Sequence, residues 1–218
     1  MGCTAVIFDL DGTLLDTLKD IGLAMNRVLA RHRFPEYPLG AYRRFVGDGA
    51  EVLVRRTLAP GRAAEHEIPG YVREFKEEYG LSWNVRTRPY PGVPELLREL
   101  ARRGTPAAVL TNKPHEFAVR CIEAYFPGYR FAAVLGERPG RRRKPDPAGA
   151  LEAAALLRAA PRQVCYLGDT DTDMLTAAAA GMVPVGVTWG FRPEEELRES
   201  GARHMLRSPA ELLTILDL

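Results

Sequence analysis

The sequence of 218 residues has few cysteines and almost no net charge, and each shortage excludes a class of protein. Its three cysteines, Cys3, Cys121 and Cys165, form no CxxC pair, which argues against a disulfide framework or a zinc site. We expect all three to be small buried hydrophobic residues in a protein of the reducing cytoplasm. A formal charge of +2 gives no reason to expect nucleic acid as a partner.

Long hydrophobic runs are also missing. The uncharged apolar stretches, such as residues 148–151 and 175–182, are far shorter than the ~20 residues of a membrane span. The first six residues lack the basic and apolar regions of a secretory signal. We therefore predict no membrane partner and a location in the cytoplasm.

Short apolar runs alternate along the chain with stretches of helical periodicity. The runs predict strands over the six segments 5–8, 106–110, 131–135, 164–167, 183–187 and 204–206. Helical patterns lie between or after them over 93–103, 115–125, 148–159, 173–180 and 210–216. This alternation is typical of an α/β fold in which an open parallel sheet carries helices on both faces. Ligands of such folds bind where the strands end at their carboxyl edges.

Residues 16–88 interrupt the alternation. They carry three helical patterns, over 18–32, 42–58 and 71–79, and no strong strand. A small helical domain inserted after the first strand and turn explains this best. We therefore predict a core domain of residues 1–15 plus 89–218 and an inserted domain of residues 16–88.

Two aspartates, Asp9 and Asp11, follow the first predicted strand, and Gly12 permits a tight turn there. A carboxylate in such a place can attack phosphorus or carbon as a nucleophile, while its neighbour acts as acid or base. The pair could also hold a hard divalent cation through oxygen. A simple Asp-Gly surface turn is the alternative.

A second acidic cluster, Asp169, Asp171 and Asp173, follows the fourth predicted strand. If a helix begins near Thr172, Asp173 lies in its first turn, where the helix dipole favours a negative charge. Three neighbouring carboxylates repel one another unless a cation or protons compensate, so a metal is the simplest explanation. The alternative is a solvated capping loop.

Polar and basic residues follow two further segments. Thr111 and Asn112 end the second strand with a hydroxyl and an amide, both suited to phosphate oxygens, although a helix cap would use them equally well. Lys144 ends the basic run 141–144 just before a rigid turn, where its ammonium could pair with phosphate or with crowded carboxylates. The arginines of that run are interpreted as peripheral, in a solvated loop or a nucleic-acid patch.

Taken in order, these motifs resemble the four motifs of the haloacid dehalogenase superfamily, and the helical insertion resembles its C1 type of cap. The resemblance covers almost the whole chain. It is strongest to the phosphoglycolate phosphatase-like branch, through the segments FDLDGTLLDT (8–17), YPGV (90–93), TNKP (111–114), KPDP (144–147) and VTWGF (187–191). It implies a Rossmann-like core and a Mg²⁺-dependent phosphatase acting on a small phosphorylated metabolite.

The resemblance also implies a role for each matching residue. Asp9 would attack the phosphate to give an aspartyl-phosphate, and Asp11 would protonate the leaving oxygen and then activate water. Thr111, Asn112 and Lys144 would hold the transferring phosphoryl group. Mg²⁺ would be bound by the Asp9 carboxylate, the Asp11 main-chain carbonyl and Asp169, with support from Asp173. The cap residues Arg43, Gly47, Asp48 and Gly49 are candidates for substrate specificity.

Sister activities fit less well. The superfamily's dehalogenases carry tyrosine where Asp11 stands, and its phosphomutases carry a cap histidine where this chain has Ile21. A nucleotide, sugar phosphate or pyrophosphate stays open as the substrate, and so does a non-catalytic phospho-ligand sensor. The sensor is disfavoured because Asp9, Asp11 and Lys144 are all present. The sequence does not decide between a monomer and a homodimer.

Overall fold

The computed structural model describes residues 2–58 and 62–216. The described residues form eight strands: β1 Ala5–Phe8, β2 Leu15–Asp16, β3 Arg88–Pro89, β4 Ala107–Pro114, β5 Val134–Glu137, β6 Val164–Gly168, β7 Val183–Val187 and β8 His204–Leu206. They also form ten α-helices: α1 Leu18–Arg31, α2 Tyr42–Phe45, α3 Ala50–Thr57, α4 Ile68–Ser82, α5 Val93–Arg103, α6 His115–Tyr125, α7 Ala148–Leu156, α8 Asp171–Ala179, α9 Glu194–Glu199 and α10 Leu212–Leu216. Within this part of the chain, none of the helices has the length and apolar character needed to cross a membrane.

Six of the strands form one parallel sheet in the order β5-β4-β1-β6-β7-β8. Because β1 lies between β4 and β6, the chain order reverses at β1, as in doubly wound nucleotide-binding folds. The predicted α/β fold with an open parallel sheet is therefore confirmed.

The side chains of β1 alternate between two apolar layers. Val6 and Phe8 pack with α5 and α6 on one face, while Ala5 and Ile7 pack with α7 on the other. Burial on both faces explains why the strands read as short continuous apolar runs.

Helices α1 to α4 form a separate cluster above the carboxyl edge of the sheet, and Phe117 and Phe191 of the sheet layers also pack into it. The chain enters and leaves this helical unit through β2 and β3, which pair antiparallel as a short ribbon. The carboxylate of Asp20 at the start of α1 accepts hydrogen bonds from the main-chain nitrogens of Arg86 and Thr87 at 2.8–3.0 Å. These hydrogen bonds join the segment that enters the helical unit to the segment that leaves it. The division into residues 1–15 plus 89–218 and 16–88 stays a prediction, and the ribbon lies at both of its boundaries.

The helical pattern predicted over 42–58 is two helices, α2 and α3, because the chain is not helical over 46–49. Two strands also differ from their predicted bounds. Strand β4 continues through Thr111 to Pro114, with a shift in its register against β5 after Leu110. Strand β5 begins at Val134, whereas the apolar run predicted a strand over 131–135. In β4 the polar residues after the apolar run are buried as well, so burial there does not require apolar side chains. In β5 the run begins with exposed and half-buried residues that precede the strand.

The expectation about cysteine pairing is wrong for two of the three residues. Cys3 and Cys165 form a disulfide with a Cα–Cα distance of 5.8 Å, while Cys121 is free. All three are buried, as expected. The pairing joins residues 162 positions apart in sequence, and the spacing of the cysteines along the chain carries no signal for it.

Candidate active site

The carboxyl ends of the three central strands bring the predicted polar residues to one place. Asp9 follows β1, Thr111 lies in the last part of β4, and Asp169 follows β6. All three are buried. The parallel register of β1 with both neighbours therefore sets these side chains side by side at the point where the strand order reverses.

Asp9 and Lys144 form a buried ion pair at the centre of this edge. Lys144 Nζ lies 3.0 Å from Asp9 Oδ1 and 2.6 Å from Asp173 Oδ1. Burial opposes the charge of Lys144, but Asp173 and Asp9 outweigh it and raise the lysine pKa well above its ordinary value. The ammonium is therefore present at neutral pH and offsets part of the negative charge.

The environment of Asp9 favours a reactive carboxyl. Burial is the main cause that raises its pKa to about 7; Lys144 opposes the rise, and Asp173 and Asp11 add to it. Its Oδ1 atom is near Lys144 Nζ without hydrogen-bond geometry, and it has no hydrogen-bond partner among the described residues. That oxygen is free to contact a ligand.

Asp9, Asp169 and Asp173 form a compact acidic cluster whose carboxylate oxygens lie within 4.8 Å of one another. Burial raises the pKa of Asp169 well above its ordinary value, and the charges of Asp173 and Asp9 add to the effect. One lysine, Lys144, cannot neutralise three carboxylates. An all-oxygen donor set with excess negative charge fits a hard divalent cation such as Mg²⁺. Asp11 does not join the cluster with its side chain.

Glycines around the cluster leave space for these carboxylates. A Cβ atom at Gly12 or at Gly190 would overlap the side chain of Asp169, and one at Gly168 would overlap that of Asp173. Gly12 also has a φ of 88°, which a side chain would disfavour. The glycines that follow or precede aspartate in the sequence motifs are thus required by the crowding of the site.

Asp173 is held by the start of α8. Thr170, rather than Thr172, caps this helix, and its hydroxyl donates to Asp173 Oδ2 at 2.7 Å. The main-chain nitrogen of Thr170 donates to the same oxygen at 3.1 Å. The prediction of a helix start near Thr172 is two residues late, because both threonines are good cap residues and Asp173 completes a capping box only with Thr170.

Asn112 lines the cavity beside Asp9, and its side chain also binds the loop that carries Lys144. Its Oδ1 accepts from the main-chain nitrogen of Lys144 at 2.9 Å, and its Nδ2 lies 3.2 Å from both the Lys144 and Gly47 carbonyls. The side chain is engaged in fixing the lysine loop beside Asp9. Thr111 is buried at the cavity wall, and its hydroxyl accepts from the main-chain nitrogen of Lys113 at 3.3 Å.

The predicted specificity residues lie in a loop that is docked on the sheet edge. We call residues 43–49 the cap loop. Its Arg43 donates to the Gly190 carbonyl at 2.8 Å, and Asp48 accepts from the Thr172 hydroxyl at 2.8 Å. From the core, Arg192 donates to the Val46 carbonyl at 3.1 Å. Arg43 and Asp48 are therefore occupied by contacts across the interface, whereas Gly47 and Gly49 line the cavity described next.

A small cavity of about 40 Å³ lies between the helical unit and the sheet edge. Five polar residues form one wall of it: Asp9, Asp11, Thr111, Asn112 and Lys113. The rest of the lining is mainly apolar and comes from both units: Ile21, Val46, Ala50, Leu53, Phe75, Tyr79, Pro114 and Phe117. This arrangement can hold a small phosphorylated molecule with its phosphorus beside Asp9 and exclude water around it.

Sequence reasoning missed two residues of this cavity, Lys113 and Tyr79. Lys113 was part of the TNKP segment but received no role, and Tyr79 was part of a helical pattern only. Lys113 Nζ lies 2.9 Å from Asp11 Oδ1 and 2.8 Å from the Tyr79 hydroxyl. A lysine directly after an apolar strand, between residues already assigned to the site, is the signal that could have identified Lys113.

Known proteins resemble this chain over most of its length. The family described as haloacid dehalogenase-like hydrolase matches residues 6–187. A phosphoglycolate phosphatase of Pseudomonas putida is 36% identical over 231 residues, covering 98% of this chain and 83% of that protein. A phosphoglycolate phosphatase of Haemophilus influenzae is 34% identical over 215 residues, covering 96% of each. The crystal structure of a predicted phosphoglycolate phosphatase from Haemophilus somnus superposes with a TM-score of 0.90 at 29% identity, covering 98% of this chain and 97% of that one.

Proposed function

The chain belongs to the haloacid dehalogenase-like hydrolase family and is a phosphoric monoester hydrolase. We propose that it is a Mg²⁺-dependent phosphatase that works through an aspartyl-phosphate on Asp9. Its substrate is a small phosphorylated metabolite of the phosphoglycolate type. The observation that carries the proposal is the buried Asp9, which pairs with Lys144 and lines a small cavity.

In the first step, a carboxylate oxygen of Asp9 attacks phosphorus as the bond to the leaving oxygen breaks, and Asp11 gives that oxygen its proton. In the second step, Asp11 removes a proton from water, whose oxygen attacks phosphorus and releases phosphate and the Asp9 carboxylate. Lys144 holds Asp9 in line and stabilises the charge of the phosphoryl oxygens, and Thr111 contacts the same group from β4.

Asp9, Asp169 and the main-chain carbonyl of Asp11 would hold Mg²⁺, and Asp173 would support the site. A bound Mg²⁺ supplies charge stabilisation to the transferring phosphoryl group. Asp173 accepts from Lys144 with Oδ1 and from Thr170 with Oδ2, so its contribution is to orient Lys144.

The cavity favours a short substrate over the alternatives. Apolar side chains of the helical unit, among them Leu53 and Phe75, crowd the small cavity beside Asp9, which favours a short substrate over a nucleoside or a hexose while the cap loop is docked. Ile21 lines this cavity and cannot transfer a proton, which disfavours a phosphomutase. The expected partners are small phosphorylated metabolites, with neither nucleic acid nor membrane, and the expected location is the cytoplasm. The monomer and the homodimer both stay open.

The test is phosphate release from a panel that includes 2-phosphoglycolate, glycerol phosphate, glucose 6-phosphate, AMP and pyrophosphate, with Mg²⁺ or with EDTA. We expect Mg²⁺-dependent release, fastest for the smallest monoester, and its loss in Asp9→Asn. Asp171→Asn is the matched control, since Asp171 lies in the same acidic segment but outside the cluster. A folded wild-type protein that binds Mg²⁺ and releases no phosphate from any compound would contradict the proposal and favour a sensor.

A further inference from the structure

Lys113 is a buried cation that the mechanism above leaves without a role. Its side chain is only 3% exposed, and Nζ lies 2.9 Å and 3.1 Å from the two carboxylate oxygens of Asp11. The same nitrogen donates to the Tyr79 hydroxyl at 2.8 Å. Tyr79 belongs to α4 of the helical unit, whereas Lys113 and Asp11 belong to the sheet edge.

The two aspartates of the first motif thus form ion pairs with different lysines. Lys144 pairs with Asp9, and Lys113 pairs with Asp11. A buried ammonium is costly unless its partners satisfy it, and here Asp11 and Tyr79 are the partners given by the structure. Burial opposes the charge of Lys113, but Asp11 and Tyr79 outweigh it and raise the lysine pKa above its ordinary value. Lys113 is therefore a fixed positive charge at the cavity wall.

We propose that Lys113 is a positioning residue for Asp11: together with Tyr79 it orients the carboxyl group that exchanges protons with the leaving oxygen and with water. The inference rests on the proposed function, because it assumes that Asp11 is the general acid and base. Since Tyr79 reaches Lys113 only from the helical unit, docking of that unit completes the positioning.

This role has a specific kinetic consequence. A general acid matters most for a leaving group that is a strong base, such as an alkoxide, and little for one that leaves readily as an anion, such as p-nitrophenolate. Loss of Lys113 should leave Asp9 and its attack in place but disorient Asp11. The defect should therefore grow with the basicity of the leaving group.

The experiment compares kcat and KM of wild type, Lys113→Met and Tyr79→Phe on a series from p-nitrophenyl phosphate to alkyl phosphates and 2-phosphoglycolate. For Lys113→Met we expect kcat to fall about 100-fold on the alkyl phosphates, the loss typical of a misplaced acid, and only a few-fold on p-nitrophenyl phosphate. Tyr79→Phe, which keeps the buried ring, should lower kcat with the same dependence on the leaving group but by a smaller factor. Tyr71→Phe on the same helix is the control and should have no such dependence.

A double variant adds a second test. In Asp11→Asn, the further change Lys113→Met should cost nothing more on the alkyl phosphates, because the group that it positions is already gone. Thermal unfolding of each variant shows that it is folded, and Tyr79→Phe carries the test if Lys113→Met is not.

Two results would overturn the inference while leaving the phosphatase intact. Equal losses of kcat on every phosphate would make Lys113 a structural residue. A change confined to the KM of substrates that carry a carboxylate would make it a ligand of the substrate. A wild-type protein without activity on any phosphate would instead overturn the proposed function, and this inference with it.

Discussion

At the scale of single residues, the chemistry depends on how two lysines are shared among buried carboxylates. Asp9 and Asp173 compete for Lys144. Asp169 has no cation beside it among the described residues, but it accepts from Thr13 and from the main chain of Phe191. Each carboxylate of the cluster is consequently held in place by an ion pair or a hydrogen bond. The acidic cluster keeps a net negative charge, which a divalent cation would neutralise.

The raised pKa of Asp9 predicts that metal binding depends on pH. Below about 7 the Asp9 carboxyl is protonated, so Mg²⁺ must displace a proton there, and the raised pKa of Asp169 acts in the same direction. We expect the apparent Mg²⁺ affinity, measured by calorimetry, to fall at least about tenfold per pH unit below pH 7. Asp171→Asn should keep this dependence, and an affinity that is constant between pH 6 and 8 would contradict the assignment.

Lys144 should be required for stability as well as for activity. In Lys144→Met, the buried carboxylates of Asp9 and Asp173 lose their only shared cation in the described site, which should lower the free energy of unfolding by about 3 kcal/mol without metal. Urea unfolding measures the loss, and Mg²⁺ should restore part of it. The exposed Lys19 supplies the control Lys19→Met, which should unfold like the wild type.

At the scale of elements, the sequence predicted the regular parts well and the contacts between them poorly. Strands Ala5–Phe8 and Val183–Val187 and helices Val93–Arg103 and His115–Tyr125 have the predicted bounds, because an apolar run or a 3.6-residue period is a local signal. The contact of Lys113 with Asp11 joins residues far apart in sequence, and no local pattern encodes it. The start of α8 was misplaced because two threonines compete as cap.

The loop after β7 supplies a prediction of its own, since it approaches the acidic cluster at Gly190. A Cβ atom there would overlap Asp169, so Gly190→Ala should displace that carboxylate and weaken Mg²⁺ binding. We expect the stabilisation by Mg²⁺ in thermal unfolding to be largely lost. Gly40→Ala is the matched control because its Cβ would meet nothing within 4 Å. Wild-type stabilisation by Mg²⁺ in Gly190→Ala would mean that Asp169 does not bind the metal.

At the scale of the whole molecule, the two parts of the chain meet mainly through the cap loop and through the contact between Tyr79 and Lys113. The cap loop is held by Asn112, Thr172, Arg192 and Gly190 of the core. Each of these core residues contributes only one or two hydrogen bonds to the cap loop. An interface held by so few bonds can open and close with substrate. The ribbon of β2 and β3 carries both chain crossings between the two parts, and it fits a hinge.

Removal of one bond across this interface should shift the balance between docked and undocked states. Asp48 accepts from Thr172 at 2.8 Å and pairs with Arg56 of its own unit at 2.6 Å, so Asp48→Ala removes the contact with the core. A hydrogen bond to a charged group contributes about 1.5 kcal/mol, which corresponds to about a tenfold rise in KM. Because Asp9, Asp11 and Lys144 keep their places once the loop is docked, kcat should change much less.

The matched variant is Glu65→Ala, which removes an ion pair with Arg55 inside the helical unit without touching the core. Glu65→Ala should leave kcat and KM near those of the wild type. Steady-state kinetics on the best substrate, with limited proteolysis of the cap loop as a second readout, separates the two variants. If Asp48→Ala lowers kcat and leaves KM unchanged, Asp48 acts on the chemistry rather than on docking. The cap loop would then have to contact the reacting groups directly.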